Sequence, residues 1–170
     1  MTIANTAEYQ ACVHSTASCT RLLLSSRELS GTIPTEIGLF TSLFALYLDS
    51  NSLRGSVPSE LGLLTACVAL NLGFNQLSGV VPLEVWGMTQ ISRALLVHNN
   101  QLEGEVPTEI GLVSGLENLN LGNNRFSSSI PTEIGKLKYL DKLLLHSNLF
   151  AGIIPSEIGQ MTTGRPLQLM

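Results

Sequence analysis

Short bursts of alternating apolar residues recur along this chain, and each is followed by the same succession of punctuating residues. In one copy Leu43, Leu46 and Leu48 lead to Asn51, then Leu53, Gly55, Val57, Pro58, Glu60, Leu61, Gly62 and Leu64. In another, Leu116, Leu119 and Leu121 lead to Asn124, Phe126, Ile130, Pro131, Glu133, Ile134, Gly135 and Leu137. The two-residue alternation of Leu46 and Leu48 predicts a short strand with those leucines inward and Ala45, Tyr47 and Asp49 facing solvent. Ile134, Leu137 and Leu140 instead recur every three positions, the spacing of a short helix or 3-10 segment laid on a core. A Thr-Glu or Ser-Glu pair after most of the prolines predicts helix starts, with proline in the first turn and the carboxylate near unpaired backbone amides. The column of glutamates from Glu36 to Glu157 therefore reads as solvated helix-start charge, not as a catalytic or metal-binding array.

Pro34, Pro58, Pro82, Pro107, Pro131 and Pro155 stand 24, 24, 25, 24 and 24 residues apart. Such a clock marks tandem supersecondary units, each unable to bury its own apolar side and all sharing one continuous core when stacked. The strands then lie side by side in a parallel sheet about 4.8 Å apart. Asn51, Asn75, Asn100, Asn124 and Asn148 fall where each strand ends, and they predict a ladder of amides serving backbone groups that water cannot reach. Gly31, Gly55, Gly79, Gly104 and Gly152 suit a tight bend, with Ser128 as the exception. The single extra residue of the fourth copy falls between Ser92 and Ala94, predicting a bulge at the entry to that strand. Trp86 takes the usual glycine position of its copy, on the outer side, where it reads as packing or as a contact. The chain divides into a cap-like segment at 1–18, six repeats at 19–163, and the start of a seventh at 164–170, with Leu167 and Leu169 as its Leu-x-Leu.

The unit Leu-x-x-Leu-x-Leu-x-x-Asn-x-Leu-x-Gly-x-Ile/Val-Pro resembles the leucine-rich-repeat family in its plant-type version, L domain-like, as in receptor-like ectodomains. That resemblance covers roughly Cys19 to Met170. It implies an α/β fold: a right-handed solenoid, or horseshoe, with a concave parallel β-sheet and short 3-10 or helical segments on the convex side. It also implies a life outside the cell or at its surface. Cys12 and Cys19 resemble the cysteine pair of the cap that closes over the first layer, so the resemblance implies a disulfide; the residues alone leave two reduced thiols open. Cys67 replaces a core leucine and reads as a buried thiol. Arg27 holds the ladder position of the first copy, as in a worn terminal repeat.

Composition narrows the function. With 44% hydrophobic residues, 13% charged residues and a net charge of −4, the chain has material for one core and no basic patch for nucleic acid. Its apolar runs are too short to insert in a membrane. Met1 to Gln10 lack the basic-then-apolar order of a signal peptide, and no polar cap follows the last repeat, so the chain is expected to be a piece of a longer protein or to self-associate through an uncapped C-terminal edge. Three histidines, two aspartates and no nucleophile elbow or phosphate loop predict no enzyme, and no cofactor is implied. His98 and His146 share a column two strands apart, about 10 Å, too far to share a metal ion.

Function is then expected on the exposed strand positions, since leucines and backbone are consumed by the stack. Tyr47, Phe74, Leu96 and Leu144 are large apolar groups where structure demands none. With Asp49, His98 and His146 they form the expected concave binding face for a protein or peptide ligand. A secreted enzyme inhibitor or defence protein on the same scaffold is the second reading, and a structural, ice- or cell-wall-binding role the third.

Overall fold

Two or three alternating residues make a stable strand only when neighbours supply hydrogen-bond partners, and here each repeat supplies them to the next. The computed structural model describes residues 1–160 and 168–169. In chain order its strands are β1 (Arg21–Leu23), β2 (Ser30–Gly31), β3 (Ala45–Tyr47), β4 (Ser52–Gly55), β5 (Ala69–Asn71), β6 (Gln76–Val80), β7 (Ala94–Leu96), β8 (Gln101–Gly104), β9 (Asn118–Asn120), β10 (Arg125–Phe126), β11 (Lys142–Leu144) and β12 (Gln168–Leu169). The Leu-x-Leu strands build one parallel sheet in the order β1-β3-β5-β7-β9-β11-β12. In it Leu22, Leu46, Leu70, Leu95, Leu119 and Leu143 are successive partners, and all are 0 or 1% exposed.

A second parallel sheet, β10-β8-β6-β4-β2, runs just beyond the asparagines. It has no apolar alternation in sequence. One buried residue per rung (Leu29, Leu53, Leu77, Leu102, Phe126) fixes it to the core, and backbone pairing does the rest. Between the two sheets the chain turns sharply, and the residue before each ladder position takes a left-handed φ of 52° to 58°: Ser26, Ser50, Phe74, Asn99, Asn123 and Ser147. The second bend is made by Gly31, Gly55, Gly79, Gly104 and Gly152 at φ of 77° to 90°, and Ser128 takes it at 65°.

The convex side carries 3-10 segments at Thr35–Leu39, Ser59–Leu63, Thr108–Leu112, Thr132–Lys136 and Ser156–Gln160. Proline stands before these segments instead of inside their first turn: Pro34 is extended (ψ 139°) while its carbonyl accepts the Ile37 amide at 3.2 Å. The ring fixes φ and the extended ψ swings the chain from the bend into the segment, so proline acts as the cap. The third repeat forms a single α-helical turn instead. Trp86 there is 1% exposed, donates its indole N–H to the Val81 carbonyl at 3.1 Å and meets Phe126 edge-on at 6.0 Å. Trp86 is thus core, and no convex contact surface forms around it.

Ahead of the repeats lies α1 (Ala7–His14), capped by the Thr6 hydroxyl, which accepts the Tyr9 amide at 3.2 Å; the short turn at Leu83–Trp86 is α2. Ile3, Tyr9 and Cys12 cover the first core layer, Tyr9 edge-on to Phe40 at 5.3 Å. Cys12 and Cys19 are joined by a disulfide, with their Cα atoms 5.0 Å apart. The Met1 carbonyl accepts the Ser30 amide at 2.8 Å, closing the edge of the second sheet. Arg27, which breaks the asparagine column, reaches Glu8 of α1 at 2.9 Å and ties cap to solenoid. At the other end Leu169 lies opposite Leu143. A constant step would put Leu167 there, and Leu167 lies outside the described residues.

Candidate ligand-recognition face

Each asparagine of the ladder bridges two repeats. Asn75 accepts the Leu53 amide at 3.0 Å and donates to the carbonyls of Leu48, Leu72 and Gly73 at 3.0 to 3.2 Å. Asn51, Asn100, Asn124 and Asn148 repeat this pattern toward the repeat before each. These side chains face inward, and the outward positions of the strands and turns that precede them make the outer surface of the concave sheet.

That surface consists of columns. Leu23, Tyr47, Asn71, Leu96, Asn120 and Leu144 are successive partners in the sheet. Tyr47 is 36% and Phe74 53% exposed; Asp49, Leu96, His98 and Leu144 are half-buried, and His146 is exposed. Ala45, expected in solvent, is buried, as is Ala69 at the matching position of the next strand. A methyl group between strands about 4.8 Å apart is too short to clear its taller neighbours.

Several of the expected residues touch. The Ser25 hydroxyl donates to Asp49 at 2.6 Å. Phe74 meets the His98 ring edge-on, centroids 5.0 Å apart at 81°. The His98 ring lies over Gly73, where a Cβ would come within 2.5 Å of its Cε1, and His146 lies over Gly122 in the same way at 2.6 Å. The two glycines are therefore the floor on which the rings rest, a role the bare sequence gave no sign of. His98 Nδ1 is buried without a protein partner among the described residues. Burial lowers the His98 pKa; Asp49 opposes that shift and His146 reinforces it. Tyr47 and Leu144 stand in the same column but four strands apart, too far to touch each other.

Among the clefts elsewhere, two differ in character. One, about 320 Å³, sits between the cap and the first repeat, lined by Tyr9, Val13, Leu39 and Phe40. Burial first, and then the Glu36 charge, raise the Tyr9 pKa there. The other, about 550 Å³, lies on the convex side around Pro107, Glu109, Pro131 and Glu133. The first is almost wholly apolar and lacks the polar groups that orient a ligand, whereas the second is open and ringed by Thr108, Glu109, Ser129, Thr132 and Glu133. Burial pushes the Cys67 thiol up to about 11, leaving it protonated and inert at neutral pH. Among the described residues no three His, Cys, Asp or Glu side chains gather as metal ligands, and no helix is long and apolar enough to cross a membrane.

The fold agrees with what the chain is similar to. Residues 115–137 match the Leucine Rich Repeat family model. The ectodomain of the receptor kinase SOBIR1 from Arabidopsis thaliana is 31% identical, with a TM-score of 0.71 over 79% of this chain and 72% of that one. The chain belongs to the leucine-rich-repeat family, in the plant-type form found in receptor ectodomains. The Arabidopsis receptor kinase HAESA, solved with the peptide hormone IDA and the co-receptor SERK1, superposes with a TM-score of 0.78 at 32% identity, over 84% of this chain. The plant peptide hormone receptor RGFR1, solved with RGF2, gives 0.66 at 36% over 85%. This chain spans 23% of the first of these two chains and 27% of the second. Comparison with curated protein sequences gives no match.

Proposed function

We propose that this chain is a non-catalytic recognition module that captures a protein or peptide ligand outside the cell, through the concave sheet. The observation that carries this reading is Phe74. It stands 53% exposed at a left-handed φ of 52°, in a column otherwise occupied by serine and asparagine. A bulky side chain in that conformation costs free energy, and strain of this kind concentrates at ligand sites. Around it Tyr47, Leu96, His98 and Leu144 offer the apolar and aromatic anchors that dominate protein interfaces. The solved relatives named above bind a peptide hormone and a co-receptor, or a hormone peptide, which supports the same class of partner here. The Cys12–Cys19 disulfide suits an oxidising, extracellular compartment.

Peptides selected from a displayed library against the immobilised domain test this. Phe74→Asp should cost them at least about 2 kcal/mol of binding, the loss typical of a central anchor, while Leu63→Asp on the convex side leaves them unchanged. Equal binding to both variants, each folded by circular dichroism, rules the concave face out. A second contact belongs to the C-terminal end: Ile153 and Ile154 are 88% and 71% exposed, whereas Ile33, Val57, Val81 and Val106, at the frame position of Ile154, are 2 to 7% exposed. Among the described residues this layer is left exposed, which suits a second copy of the chain. Sedimentation over a concentration series should show association that Ile154→Lys abolishes; no association at any concentration removes the second copy.

A further inference from the structure

The concave columns carry a second, longer period. Repeats three and five read Asn-x-Gly, at Asn71–Gly73 and Asn120–Gly122; repeats four and six read Leu-x-His, at Leu96–His98 and Leu144–His146. The structure makes each pair of repeats into one unit, because His98 lies on Gly73 and His146 lies on Gly122. Within each unit the asparagine is set alike. The Gly73 amide donates to Asn71 Oδ1, and the Gly122 amide to Asn120 Oδ1, both at 3.1 Å. With its oxygen held this way, each side chain turns its NH2 toward the open face, where no described group takes it up. The surface therefore repeats one tile: an imidazole lying flat on a glycine, a half-buried leucine beside it and a free amide donor.

We propose that these two tiles are paired subsites for one uncharged peptide in the polyproline-II conformation, lying along the solenoid axis across the strands; this rests on the concave reading above. Spacing selects the conformation. Tiles two strands apart repeat every 9.6 Å or so. A polyproline-II chain returns to the same face every third residue, roughly 9.3 Å on. An extended strand returns every second residue, at about 6.8 Å, and drifts out of phase. Its chemistry fits as well. Polyproline-II backbone has no internal hydrogen bonds, so its carbonyls are free to accept from Asn71 and Asn120, and such segments dock on aromatic-lined grooves. Phe74, edge-on to His98, supplies that lining in the first tile; in the second its place is taken by Asn123, whose Nδ2 lies 3.4 Å from His146 Nε2. Neither tile carries a fixed charge, which matches a neutral segment in preference to a phosphorylated or strongly basic one. The buried, unpartnered His98 Nδ1 agrees with a neutral ring.

The probes are three synthetic polyproline peptides with blocked ends, carrying leucine at every third, every second or every fourth position. Isothermal titration against the domain should show the third-residue peptide binding tighter by on the order of 100-fold, because it alone engages both tiles at once. Spoiling one tile should erase that advantage, so that all three peptides bind His146→Ala alike; Asn71→Ala, in the other tile, should do the same. Equal affinity for the three spacings, an advantage that survives both substitutions, or no binding by the third-residue peptide overturns the inference. If library-selected peptides still depend on Phe74 in that event, the concave face stands as the site and only the two-tile reading falls. If they do not depend on it, both fall.

Discussion

Asn100 uses one side chain to accept the Leu77 amide and to donate to the carbonyls of Leu72, Val97 and His98. No water-filled alternative exists for groups between two core layers, so removing the amide leaves buried donors and acceptors unpaired. Asn124, 9% exposed, is placed identically. Asn124→Ala should therefore destabilise the solenoid by about 1 to 3 kcal/mol in chemical denaturation, and a neutral result would mean the amides are solvated. His98 behaves differently. Its pKa is lowered in the folded state, mainly by burial, so the unfolded chain binds the proton more readily. Stability should be complete above the unfolded value near 6.5 and decline as pH falls through it toward the folded value. Denaturation midpoints measured in steps from pH 7.5 to pH 5 should fall less steeply in His98→Gln than in the native sequence; parallel slopes would show that another group carries the dependence.

At the scale of the element, the bend after each concave strand is where stability and recognition compete. Ser26, Ser50, Asn99, Asn123 and Ser147 take the left-handed turn with small polar side chains, and Phe74 takes it with a large apolar one. Asparagine tolerates this conformation. Phe74→Asn should accordingly stabilise the domain by about 1 kcal/mol, read by thermal denaturation, while weakening every ligand that depends on the concave face. A loss of stability would show that the Phe74–His98 contact outweighs the backbone strain. The same elements show which parts of the fold were legible in advance. Leu-x-Leu alternation located the concave strands because packing of Leu46 and Leu48 decides their conformation. The second sheet was not legible, since β4 or β8 carries one apolar residue and is set by backbone pairing between repeats. Trp86 could be read from its frame position as packing or as a contact, and it is packing: the ring is buried with its N–H satisfied, in the repeat where α2 stands in place of a 3-10 segment.

Across the whole molecule, repetition made the architecture readable and left the site only half readable. Six copies in one frame sort most residues into core, turn or surface, and this is why Tyr47, Phe74, Leu96, His98 and His146 could be named as one face from sequence. Contacts between copies are another matter. That His98 rests on Gly73, that Arg27 holds the cap helix through Glu8, and that Ala45 disappears beneath its neighbours all depend on side chains reaching across about 4.8 Å from one repeat to the next. The central claim is that ligand lies on the concave sheet, and hydrogen–deuterium exchange with and without a library-selected peptide tests it most directly. The account predicts slowed exchange in peptides covering 71–75, 94–100 and 118–124, with the convex segments at 59–63 and 108–112 unchanged. Protection confined to those convex segments, with the concave strands unaltered, would contradict it.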